Sequence, residues 1–194
     1  MDARYLKATT ASSTDVKVCG KRLLPFCLRH RVILESIGSP FLDPEKKGFT
    51  ARDLMTALKV ISTYDKNCID RPFTFKEKIY IYLLNKSKSR LATLCGFILG
   101  HISNSCSYPK LWEKEDKKGN EKIPWVLSCV SNNVRNGCSL EEAWTMPEGE
   151  AVWMSISHAI YNGAKIDVIS TEEEEKLKDY DAIVEKFKKT NKKT

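Results

Sequence analysis

Three histidines, at 30, 101 and 158, and seven cysteines, at 19, 27, 68, 95, 106, 129 and 138, are the side chains best suited to nucleophilic or metal chemistry. Their spacing argues against both. A structural zinc site draws its four ligands from recognisable pairs, and the chain has neither C-x-x-C nor H-x-x-x-H. His30 follows Cys27 by three positions and His101 lies between Cys95 and Cys106. A Cys–His nucleophile needs hydrogen-bond reach and a third group to orient the base, which these positions do not supply. No glycine-rich phosphate loop occurs. Glu141, Glu142, Glu148 and Glu150 could be drawn as paired carboxylates, but each falls in the first turn of an expected helix, where the dipole accounts for it. The expectation is no catalytic residue, no metal and no cofactor.

Two other groups suit binding. Trp144, Trp153, Met154 and Tyr161 combine aromatic and thioether surface, a composition common at protein interfaces; the competing account places them in the core. Lys86, Lys88 and Arg90, beside Tyr80 and Tyr82, and the C-terminal Lys188, Lys189, Lys192 and Lys193 could meet phosphates. A net charge of +7 favours acidic partners. Readers of nucleic acid usually add a motif to such charge, and none is present.

These residues must be positioned by helices. A chain of 194 residues, 42% hydrophobic and 29% charged, suits an ordinary soluble protein of one domain. It has no apolar run of 18 residues, so no membrane span is expected. Its first residues, MDARYLKATTASST, lack the apolar core of a secretory signal. An odd, scattered set of cysteines reads as reduced thiols in a cytoplasmic-type compartment.

The expected fold is mainly α: a helical domain with a small N-terminal β-hairpin. Residues 1–13 read as disordered, 14–107 as hairpin plus helices, 108–122 as a charged loop, 123–190 as a second helical part and 191–194 as a basic tail, all within a single expected domain. Asp15 to Phe26 alternates as a hairpin turning at Gly20-Lys21. Leu28 to Ile37 reads as a helix with Leu28, Val32, Ile33 and Ile37 inward, stopped by Gly38. Thr50 with Asp53, Thr74 with Glu77 and Ser139 with Glu142 are capping-box signatures. Leu54, Ala57, Leu58 and Ile61 mark one buried face; Ile79, Leu83 and Leu84 mark another, with a break expected within 85–90. Pro124 and Pro147 open helices with inward faces Val126, Leu127, Val130, Val134 and Val152, Ile156, Ala159, Ile160. Gly137 and Gly163 close them. Residues 165–169 alternate as a strand that could pair with the hairpin, and Thr171 caps a last helix with the stripe Leu177, Tyr180, Ile183, Val184, Phe187.

Two segments, VKVCGKRLLPFCLRHRVILESIGSPF and SLEEAWTMPEGEAVWMSISHAIYNG, together resemble small helical proteins from the tail-morphogenesis region of tailed bacteriophages and prophages, of the tail-assembly-chaperone type. They cover about a quarter of the chain and share boundary and apolar residues, not a catalytic signature. The resemblance implies a non-enzymatic protein of the host cytoplasm that covers apolar helices of a tape-measure-like partner and recruits tail-tube subunits. The cysteine count and the 108–122 insert depart from that pattern. The alternative class is a nucleic-acid-binding accessory protein using the lysines named above.

Overall fold

Across residues 2–10, 17–43, 45, 48–112 and 123–180, which the computed structural model of the chain describes, the fold is mainly helical, with a small antiparallel hairpin near the N-terminus. In chain order these are α1 (Ala3–Thr10), β1 (Lys17–Val18), β2 (Lys21–Arg22), α2 (Leu28–Ser36), α3 (Ala51–Ile61), a 3-10 turn (Cys68–Asp70), α4 (Phe75–Lys86), α5 (Lys88–Ser105), β3 (Lys110–Leu111), α6 (Trp125–Arg135), α7 (Leu140–Thr145), α8 (Glu148–Tyr161) and β4 (Val168–Ile169). A final helix, α9, occupies 171–180.

Local chemistry sets many of these limits. All three expected capping boxes form: each Thr or Ser side chain accepts from the N–H three residues on, and the Asp or Glu there accepts from the cap N–H. Ser87 ends α4 and starts α5, so the break falls where it was expected. Pro124 and Pro147 serve as N-caps, one place before the helix. Gly137 and Gly163 take positive φ just past α6 and α8.

Two apolar clusters form the interior. The larger surrounds α3, whose Ala51, Leu54, Met55, Ala57, Leu58, Val60 and Ile61 are all fully buried against α2, α5, Leu84 of α4 and the 3-10 turn. The smaller joins Val126, Cys129 and Val130 of α6 to Ala143 of α7 and Ala151 of α8, with Trp144, Met146 and Val152 at its edge. Helix α2 belongs to both, sending Ile33 and Leu34 into the first cluster and Leu28 into the second. Next to it, the Glu148 N–H donates to Phe26 O (2.9 Å) and Cys27 bridges Pro147, which ties the start of α2 to the start of α8.

Several expectations are corrected. Residues 3–10, read as disordered, form α1: Ala8 packs fully buried on Gly149, and Arg4 reaches Asp2, Glu174 and Ile169 O. The rest of the 1–13 stretch lies outside the described residues except Asp2. The hairpin turns on Cys19 (φ 49°) and Gly20 (φ 78°), not Gly20-Lys21, because a two-residue turn of the right twist needs both centres at positive φ. Val168–Ile169 is a strand, but it pairs with Lys110–Leu111 in the stretch read as loop, not with the hairpin. Ser170 and Glu173, not Thr171, cap α9.

Some inward faces also differ. Val32 and Ile37 of α2 are exposed while His30 and Leu34 are buried, and Leu127 and Val134 of α6 give way to Cys129 and Asn133. Ile79 and Leu83 of α4 point outward, with Leu84 and Glu77 inward. On α8, Ile160 is exposed and the fully buried side is Glu148, Gly149 and Ala151. In each case apolar residues occur on more than one side of the helix, so the neighbours choose the face.

Candidate interaction surface

Helix α4 has apolar residues around its whole circumference, and the core uses only part of it. Leu84 is buried, with Tyr80 and Ile81 packed against the larger cluster. Phe75, Ile79, Tyr82 and Leu83, spaced i, i+4, i+7 and i+8, share the opposite side. Phe75 is 78% exposed and Tyr82 is 59% exposed, so this is an uncovered apolar stripe, not a half-buried shoulder. Lys76, Lys78, Lys86, Lys88 and Arg90 are exposed around it and form no ion pair among the described residues. Lys86 Nζ lies 4.4 Å from the centre of the Tyr82 ring. The only acid between 75 and 90 is Glu77, which is buried, caps Thr74 and pairs with Lys21 at 2.8 Å. The outward face of α4 and the start of α5 is therefore apolar along its axis and positive at its margins.

The aromatic and Met residues singled out in the sequence do not make one surface. Trp153 is half-buried: its indole N–H donates to Ser107 O (3.0 Å) and its ring meets the edge of Tyr5 with centroids 5.8 Å apart. Trp144 is half-buried at the rim of the smaller cluster. Met154 lines a groove of about 500 Å³ with Asn136, Cys138, Glu142, Met146 and His158. Tyr161, at the end of α8, is 90% exposed. Of the basic residues, Lys86 lies over Tyr82, Lys88 and Arg90 are exposed just past the break at Ser87, and Lys188, Lys189, Lys192 and Lys193 lie outside the described residues.

Structure takes up most of the candidate cysteines and histidines; His158 Nε2 is buried without a hydrogen-bond partner among the described residues. All seven cysteines are free thiols. Burial pushes the Cys27 thiol up to about 12 and those of Cys95 and Cys129 to about 11, and raises Cys19, Cys68 and Cys106 as well. These six are protonated at neutral pH, the opposite of an activated nucleophile. His30 accepts the Cys27 N–H at Nδ1 (3.3 Å), so Nε2 carries the proton and donates to Thr63 O (3.1 Å). His101 Nε2 donates to Leu24 O (2.9 Å). Among the described residues no three His, Cys, Asp or Glu side chains stand close enough to hold a metal ion, and no helix is long and apolar enough to cross a membrane.

Glu148 departs furthest from the sequence reading. Its side chain is wholly buried, and Oε1 accepts from Arg31 Nε (2.7 Å), Arg31 Nη2 (2.6 Å), the Tyr108 hydroxyl and the Cys106 thiol (3.4 Å). Oε2 has no hydrogen-bond partner among the described residues. Burial raises the carboxyl above its ordinary range, with Arg31 pulling against it. Arg31 also lies 5.6 Å from the Trp125 ring centre and 5.9 Å from that of Phe26. Glu148 is sealed from solvent while Arg31, Cys106 and Tyr108 are partly exposed, and the group joins α2, the segment just past α5 and α8; it is a structural ion pair. A 117-residue separation hides it from any sequence pattern, although a glutamate directly after a helix-opening proline marks one partner.

No protein-family model, curated protein or solved structure matches the chain.

Proposed function

We propose that this chain is a non-enzymatic protein-interaction module whose α4 face receives an amphipathic helix of a partner, in the manner of the phage tail-assembly chaperones that its sequence resembles. The observation that carries the reading is the uncovered stripe Phe75, Ile79, Tyr82 and Leu83. A monomeric protein gains nothing from holding four large apolar side chains on one helix face in water, and such a contiguous patch with a polar rim marks an interaction site. Helix-in-groove recognition uses anchors at this spacing. On this reading the partner is a long helical protein of the tape-measure kind, and the module keeps its apolar stretches covered until assembly. Trp144 and Trp153 then stabilise the scaffold, and Tyr161 and Met154 stand apart from the docking face.

The raised thiols of six cysteines and the imidazoles of His30 and His101, each held by a backbone carbonyl, support an interaction role over catalysis. The nucleic-acid alternative draws on the same segment, because Lys86 lies over the exposed Tyr82 ring and Lys88 and Arg90 follow it into α5. Ile79 and Leu83 favour a helix, since aliphatic side chains offer a phosphate backbone nothing.

The test is a fluorescence-anisotropy titration of the full chain with a labelled amphipathic helical peptide that has a leucine stripe and neutral flanks. The expected result is saturable binding that weakens about tenfold or more in Ile79→Asp, the loss of one interface anchor. Thermal unfolding should stay within about 0.5 kcal/mol of the parent, because the position is exposed. Equal binding by the variant refutes the reading.

A further inference from the structure

The charges around the α4 stripe are not evenly spread. Lys76 and Lys78 stand at its first turn, and Lys86, Lys88 and Arg90 stand at its end and across the break into α5. Ile79, Tyr82 and Leu83 lie between the two groups. Lys76 and Lys86 are ten residues apart, which along a helix is about 15 Å. The only acid between 75 and 90, Glu77, is buried and already held by Lys21 and the Thr74 cap, so this segment sets no exposed carboxylate between the two groups.

We infer that the helix docked on α4 carries carboxylates at both ends of its own apolar stripe, with about ten residues between them. This rests on the functional reading above and names the chemistry of the partner. A helix with Asp or Glu at those two places sets each acid against one basic group while its apolar residues cover Ile79, Tyr82 and Leu83. Opposed charge at the rim sets orientation and encounter rate more than affinity, so the two ends act as a register. A nucleic-acid backbone fits less well: its negative charge is continuous, and the apolar centre of the face would meet phosphates. An anionic membrane would accept the lysines without regard to their separation.

The experiment uses the full chain and three labelled peptides with one apolar stripe: glutamates at both ends, lysines at both ends, or glutamates moved to mid-helix. The expected order has the end-glutamate peptide tightest, about tenfold over the lysine peptide at low salt, with the gap closing as salt rises. The variant Lys76→Glu/Lys78→Glu should lose most of this preference, and reversing Lys86 and Lys88 as well should invert it. Should a variant fail to fold by circular dichroism, the three peptides on the unaltered chain still decide the matter. If all three bind equally, the inference falls and the helix-docking reading stands. If none binds, the reading itself falls. If a single-stranded oligonucleotide or an anionic phosphatidylserine vesicle binds more tightly than the end-glutamate peptide, the assigned partner is overturned.

Discussion

Acidification should destabilise this protein, and His30 is one side chain through which it acts. It is fully buried, stacked on Tyr64 with ring centroids 5.5 Å apart, and fixed in the Nε2–H form by the Cys27 N–H on one side and Thr63 O on the other. A proton on Nδ1 would set two donors facing each other. Burial is the main force that lowers its pKa to about 4, with the Thr63 hydrogen bond opposing and the charges of His101 and Arg29 adding to the fall. An unfolded histidine titrates near about 6.5. As pH falls below about 6.5 the unfolded chain takes the proton first, so native stability, intact above that pH, declines until about pH 4 and then levels off. At about 1.4 kcal/mol per pH unit the loss reaches about 3 kcal/mol. In a domain of this size that lowers the melting temperature by about 6–12 °C. The assay is urea unfolding at steps of pH from neutral to 4, run beside His30→Gln. Glutamine at this third helical position can still accept the cap N–H and does not titrate. The difference between the two profiles isolates His30: His101, lowered in the same direction, Glu148, raised by burial and opposite in sign, and the carboxylates of Glu77 and Glu174 are common to both. Parallel profiles, or an NMR titration of the folded His30 ring near about 6.5, would refute the reasoning.

Three further perturbations probe the scaffold. Arg31→Met leaves Glu148 buried without its counter-charge and should cost about 3–5 kcal/mol in urea unfolding, whereas Arg31→Met/Glu148→Met should recover part of that loss; a double variant as unstable as the single one contradicts the pairing. Gly149→Ala would bring a Cβ to 2.7 Å from Ser105 O and 2.8 Å from Ala8 Cβ. It should cost about 1–3 kcal/mol by overpacking, with faster proteolysis near α1 as the local sign of its release. Trp153→Phe keeps a ring against Tyr5 but leaves Ser107 O without the indole donor; a loss of about 1 kcal/mol in thermal unfolding is expected, and an unchanged melting curve would mean that bond contributes nothing.

The parts of the fold legible in the sequence are those written in neighbouring residues. Thr50 with Asp53, Thr74 with Glu77 and Ser139 with Glu142 mark helix starts because cap and partner are three residues apart, and all three form. The buried face of α3 reads correctly because its apolar positions fall on one side: Leu54, Ala57, Leu58 and Ile61. Helix α4 defeats the same reasoning. With Phe75, Ile79, Tyr80, Ile81, Tyr82, Leu83 and Leu84 around it, periodicity cannot choose a face, and the choice made by the fold creates the candidate surface. Lys86, Lys88 and Arg90 were visible as a basic group, but their apolar centre was not. Helix α1 was invisible because eight residues carry too little periodicity to mark a buried face, and its place is fixed by Gly149, Ile169 and Glu174 far along the chain. The same holds for the Arg31–Glu148 pair and for the pairing of β3 with β4.

The position of α1 also bears on how the protein is made. Synthesis delivers α1 well before its docking partners Gly149 and Trp153 of α8 and Glu174 of α9. The cluster around α3 draws on residues 18–106 and can close before α8 and α9 are made. Helix α1 therefore completes its packing only once α8 and α9 exist, after the cluster around α3 can already have closed.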